Sequence, residues 1–145
     1  AAFGGLKLYE FMPNDRVIVS PVLCSSEFKD LMNDNTLIFY TGKLRSASKI
    51  LQEQTRVSNE KDKRLTLRRM AKLAYDFKLS IESNDLNSLG NMLHENWNLK
   101  KTLTKEISNS FIDEIYGNAI SSGALGGKLL GAGAGGNHVT HANKA

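Results

Sequence analysis

Three apolar stripes at helical spacing fill the middle of the chain and limit its fold more than any other feature. Leu67, Met70, Ala74, Phe77 and Ile81 recur every three or four residues, which lays them along one face of a long helix. Ser83-Asn84-Asp85 stops that helix and offers a new cap. Leu86, Leu89, Leu93 and Trp97 form the next stripe, and Phe111, Ile112, Ile115 and Ala119 a third, ending near Gly123. An earlier helical segment starts at Ser46 with Ile50, Leu51 and Val57. Each stripe must be buried against another element. Strand-like runs are the natural partner. Leu6 to Phe11 and Arg16 to Ser20 flank the turn cluster Pro13-Asn14-Asp15 and read as a hairpin. Ser25 or Ser26 caps a short helix through Leu31 and Met32. Thr36 to Thr41 is β-branched and aromatic, which predicts a buried strand ended by Gly42. The pattern predicts an α+β domain of short antiparallel strands covered by amphipathic helices. Met70, Met92 and Trp97 belong to its packing, and Gly90, at a cost of about 1 kcal/mol within a helix, to a close helix crossing.

At 145 residues there is enough chain for one core. No run of eighteen apolar residues occurs, and the start has no export-signal pattern. The single cysteine, Cys24, cannot form an internal disulfide and reads as a small packed side chain, so a reducing cytoplasm is the expected location. The net charge of +4 suits either a soluble domain or one that binds anions. Lys61, Lys63, Arg64, Arg68, Arg69 and Lys72 form a basic run in which Arg64, Arg68 and Lys72 share a helix face. A stand-alone binding module using helix 61–72 for nucleic acid or another polyanion is the alternative function. It lacks an aromatic-rich RNA motif, and the run is expected to be a solvated face.

Eight of the twelve glycines lie between Gly117 and Gly136, a density that suits a backbone approaching a ligand closely. Successive N–H groups in such a loop can cradle an anion. Gly131-x-Gly133-x-x-Gly136 matches the dinucleotide fingerprint in spacing only. The next residues are Asn137-His138-Val139-Thr140-His141, with no acidic residue about 20 positions on. Gly127-Lys128 is followed by Leu129 where a Walker A loop needs Ser or Thr.

The run Gly-Gly-Lys-Leu-Leu-Gly-Ala-Gly-Ala-Gly-Gly at 126–136 resembles the third motif of the GHMP kinases. Ala1-Ala2-Phe3-Gly4-Gly5 is similar to the segment just after the catalytic aspartate in their heptose-phosphate kinases. Phe39 to Leu51 resembles those kinases and the fucokinases, and Ile115-Tyr116, Ala119-Ile120 and Gly123-Ala124 come in the family's order. The resemblance spans 1–136. It implies a ferredoxin-like C-terminal domain that packs against an N-terminal ATP-binding domain. It also implies transfer of the γ-phosphoryl group of ATP, with Mg²⁺, to a sugar hydroxyl, for these relatives the anomeric hydroxyl of a heptose 7-phosphate. Gly131, Ala132, Gly133, Gly135 and Gly136 would shape the loop near the nucleotide phosphates. Thr41, Gly42 and Arg45 would serve the substrate, Arg45 through its phosphate. No catalytic residue is expected within the chain, because the aspartate would precede Ala1 and the N-terminal phosphate loop has no counterpart here. After Gly136 the family continues as an apolar strand, whereas only Val139 suits a core strand in 137–145. That segment is expected to be a divergent polar tail, as a truncated or altered reading frame would produce.

The remaining candidates read as structural. Asp113 and Glu114 lie on a helix flank, His94 beside the Leu93 stripe, and His138 and His141 lack a third ligand, so no metal site is expected.

Overall fold

The computed structural model describes residues 4–41, 52, 61–130 and 137–142. The expected helix from Ser46 lies outside them apart from residue 52. Strands β1 (Lys7–Phe11) and β2 (Val17–Pro21) pair antiparallel, with Lys7 opposite Pro21 and Phe11 opposite Val17. The turn cluster closes them: Asp15 adopts φ 60°, and its N–H donates to the Met12 carbonyl at 3.1 Å. Helix α1 (Ser26–Asp34) is capped by Ser25, whose Oγ accepts from the Phe28 N–H at 3.1 Å. Strand β3 (Thr36–Tyr40) follows, and then α2 (Lys61–Glu82) and α3 (Leu86–Leu103). Asn84, at φ 58°, turns the chain between these two helices, and the Asp85 carboxylate accepts from the Ser88 N–H. After a short 3₁₀ turn, Asn109 caps α4 (Ser110–Ser121) in the same way, Oδ1 to the Ile112 N–H at 3.1 Å. Strands β4 (Ala124–Leu129) and β5 (Asn137–Ala142) end the described chain.

The fold is α+β, as the stripes and strands predict. Its larger described sheet has the order β3-β5-β4, antiparallel throughout. Here the expectation of a polar tail is overturned, since 137–142 is the central strand. Its backbone pairs on both sides, Val139 opposite Ile38 and Lys128. A full ladder on both edges satisfies every backbone group of such a strand, so few apolar side chains are required.

Helix α3 packs on β4 and on α2. One core cluster holds Trp97, Leu103, Ile107, Ile112, Tyr116 and Leu129, with Met70 against it. A second holds Val22, Phe28, Ile81 and Leu89, with Cys24 and Met92 against it. The α2 stripe is rotated from its predicted face. Leu73 is buried at 3% exposure whereas Ala74 is exposed, because the larger side chain takes the inward position. Strand β3 is also not the buried strand its composition predicts: Leu37, Ile38, Phe39 and Tyr40 are all exposed. Gly90 admits a strand rather than another helix. A Cβ on Gly126 of β4 would lie 1.9 Å from the Gly90 carbonyl oxygen and 2.7 Å from the His94 nitrogen.

Candidate functional site

The sheet register gathers the predicted site segments at one end. Thr41 follows β3 directly and is buried, and its neighbour Tyr40 pairs with Asn137. Asn137 is the first residue after segment 131–136, and Leu129, opposite His138, stands two positions before that segment. The strand residues on either side of 131–136 therefore lie at the same end of the sheet as Thr41. Gly42, Arg45, Gly131, Ala132, Gly133, Gly135 and Gly136 lie outside the described residues.

Below this end, β4 lies so close to α3 that its backbone reaches the helical side chains. The Gly127 N–H donates to Tyr116 Oη, and Oη is 2.6 Å from His94 Nδ1. The Asn98 amide reaches His94 Nε2 at 2.9 Å. With Nε2 accepting from that amide, the ring proton sits on Nδ1 and is donated to Tyr116. Burial pushes the Tyr116 hydroxyl up to about 12, and the Gly127 N–H opposes the shift. Lys101 Nζ stands 5.8 Å from the centroids of both the Trp97 and Tyr116 rings. His94 is thus structural, as its place beside the stripe suggested. The Trp97 indole N–H is buried and finds no acceptor among the described residues.

Lys128 itself, in the middle of the glycine run, is half-buried, and burial pushes its ammonium down from the usual lysine range. Lys100 is lowered first by burial and then by the charge of Lys128. Sequence reading assigned neither lysine a role, because a lone lysine among glycines and another near a helix end carry no spacing signal.

The basic run on α2 is largely engaged within the chain. Arg69 makes a two-pronged contact with Glu95 at 2.6 and 2.8 Å, Lys72 binds Asp76 at 2.7 Å, and Lys63 donates to the Thr102 carbonyl. A helix face whose cations are held by its own carboxylates offers little to a polyanion. Asp113 is exposed on its helix flank, where it accepts from the Ser108 hydroxyl at 2.9 Å and lies 3.4 Å from Lys101. Among the described residues no three His, Cys, Asp or Glu side chains gather to hold a metal ion. His138 and His141 lie in β5. No described helix is long and apolar enough to cross a membrane.

Comparison with known proteins fits this geometry. The chain is 30% identical over 136 residues to the D-glycero-alpha-D-manno-heptose 7-phosphate kinase of Campylobacter jejuni subsp. jejuni serotype O:2, covering 94% of this chain and 40% of that protein. It is 27% identical over 140 residues to the bifunctional fucokinase/GDP-fucose pyrophosphorylase of Arabidopsis thaliana, covering 92% of this chain and 13% of that one. The chain thus spans well under half the length of either relative. Among solved structures, the L. major mevalonate kinase in complex with R-mevalonate superposes with a TM-score of 0.76 at 22% identity, over 100% of this chain and 42% of that one. That likeness is one of fold. The family model for the C terminal of GHMP kinases matches residues 73–144, which include the whole glycine run and β5. Residues 73–144 of this chain are a GHMP kinase C-terminal domain.

Proposed function

We propose that this chain is the C-terminal part of an ATP-dependent sugar kinase that passes the γ-phosphoryl group of ATP to the anomeric hydroxyl of a heptose 7-phosphate. The observation that supports the reading is the sheet register, which puts Thr41 at the same end of the sheet as Leu129 and Asn137, the strand residues on either side of segment 131–136. Phosphoryl transfer asks a protein mainly for positioning and for N–H or cationic groups on phosphate oxygens. A glycine loop beside a substrate segment that contains Arg45 would provide both. In this reading Gly131, Ala132, Gly133, Gly135 and Gly136 approach the nucleotide phosphates, while Thr41, Gly42 and Arg45 hold the sugar phosphate. The catalytic aspartate and the ATP-binding domain belong to sequence upstream of Ala1, and Mg²⁺ is held by groups other than the described residues. The heptose 7-phosphate kinase from Campylobacter jejuni supports this choice of substrate. The lone cysteine fits an enzyme working on ATP in the cytoplasm.

The test uses the 145-residue chain and a longer protein carrying the upstream coding sequence. Each is given ATP, Mg²⁺ and D-glycero-D-manno-heptose 7-phosphate, and ADP release is measured. The longer protein is expected to turn over and the 145-residue chain to be inactive. In the longer protein, Arg45→Ala should raise KM for the sugar phosphate about tenfold or more with kcat little changed. No turnover by the longer protein on this or any other sugar would sink the kinase reading. Turnover by the short chain would place the base within it, and an unchanged KM in Arg45→Ala would remove that residue from the site.

A further inference from the structure

An open cavity is lined by residues of β1, α2, α3 and β4. Its volume is about 300 Å³, at the lower end of the range for small-molecule sites. Leu73 and Phe77 of α2 and Leu93 of α3 give it an apolar body. The polar groups on its wall are Lys7 of β1, Lys128 of β4 and Asn96 of α3, and no acidic residue among those described lines it. The carboxylates on the flanking elements are committed elsewhere. Glu10 of β1 receives the Tyr75 hydroxyl at 2.6 Å, Glu95 of α3 holds Arg69, and Asp76 of α2 holds Lys72. Lys100, one helical turn beyond Asn96, adds a further positive charge near enough to act on Lys128. A half-buried ammonium without a counter-charge in its pocket is costly, and an anion entering the pocket would offset that cost.

We propose that this cavity binds a small organic phosphate, a monoester whose alkyl or aryl body fills the space between α2 and α3 while its phosphate group lies against Lys7 and Lys128. Two lysines among the lining residues match the double charge of a phosphate monoester. The aliphatic and aromatic walls offer a polyhydroxylated sugar almost nothing beyond Asn96, so this ligand differs from a sugar substrate. The site is built from other residues than Thr41, Gly42, Arg45 and 131–136, and it stands whether or not the kinase reading does.

The test is calorimetric titration of the 145-residue chain with inorganic phosphate and with n-butyl phosphate, at ionic strength held constant with sodium chloride. Because each buried methylene adds to binding, butyl phosphate should bind at least about tenfold more tightly than inorganic phosphate. Lys128→Met should weaken butyl phosphate binding about tenfold or more and raise Tm in the absence of ligand, since it removes a desolvated charge that Lys100 opposes. Lys7→Met should weaken binding while leaving Tm nearly unchanged, and it carries the test if Lys128→Met fails to fold. Equal affinity for the two phosphates would mean an adventitious ion only and would overturn the proposal. So would the absence of binding, or an unchanged affinity for butyl phosphate in either lysine variant.

Discussion

Tyr116 sits in the core cluster with Trp97, Ile112 and Leu129, yet its hydroxyl is held by two donors, the Gly127 N–H and His94. The protonated phenol is the form that suits this dry setting, so the folded state raises its pKa to about 12 from 10.0. The sign follows from linkage. A raised pKa gives stability that is fully present below the unfolded value and is lost as pH climbs through the folded one. In urea unfolding, Tyr116→Phe should cost about 1–3 kcal/mol at about pH 9, because it leaves the buried Gly127 N–H without its acceptor. The gap to the parent chain should then narrow between pH 10.0 and about 12. A gap that stays constant across this range would mean that the phenol titrates as in the unfolded chain. His94 and Tyr116 were not legible as a pair in the sequence. They lie 22 positions apart on different helices, and only the approach of β4 to α3 aligns them.

At the scale of elements, the α3–β4 contact depends on two glycines facing each other. Gly126→Ala would drive a methyl group into backbone atoms of Gly90 and His94, none of which can rotate away. A loss above about 3 kcal/mol is expected in chemical denaturation, a large effect of overpacking. Gly117 is the contrast. It lies in α4, and a methyl group placed there would have nothing within 4 Å. Gly117→Ala should therefore stabilise by about 0.5–1 kcal/mol through helix propensity alone. If both substitutions proved equally mild, the close contact would have to be dropped. Local features were the most legible part of the fold. The caps at Ser25 and Asp85, the Asp15 turn and the helix stripes all depend on neighbours within a few residues. The exchange of Leu73 for Ala74 is a slip of one residue that a period of 3.6 leaves open, since positions i+3 and i+4 share a helix face. The central place of β5 was illegible because strand pairing is non-local and its side chains carry little apolar signal. The candidate site was half legible. The glycine run stands out in the sequence, but that its flanking strands end on the same side of the sheet as Thr41 appears only in the sheet register.

For the whole molecule, the outer strand β3 is the most consequential surface. Ile38 is 64% exposed and Tyr40 67%, and within the described sheet β3 pairs on one side only. An apolar strand with an open edge recruits further strands. The 145-residue chain should therefore self-associate as concentration rises, and Ile38→Lys should shift it towards monomer in sedimentation velocity. A chain that stays monomeric at all concentrations, with or without that lysine, would show that β3 has no such tendency.

The position of β5 has one more consequence, for synthesis on the ribosome. Strand β3 leaves the exit tunnel well before its partner, which lies about a hundred residues further along the chain. Strand β4 waits for the same partner, which comes only a few residues later. The sheet therefore cannot close while the chain is still growing through its helices. Both outer strands must remain unpaired until the last described strand emerges, and the exposed row Leu37-Ile38-Phe39-Tyr40 passes that interval in reach of chaperones.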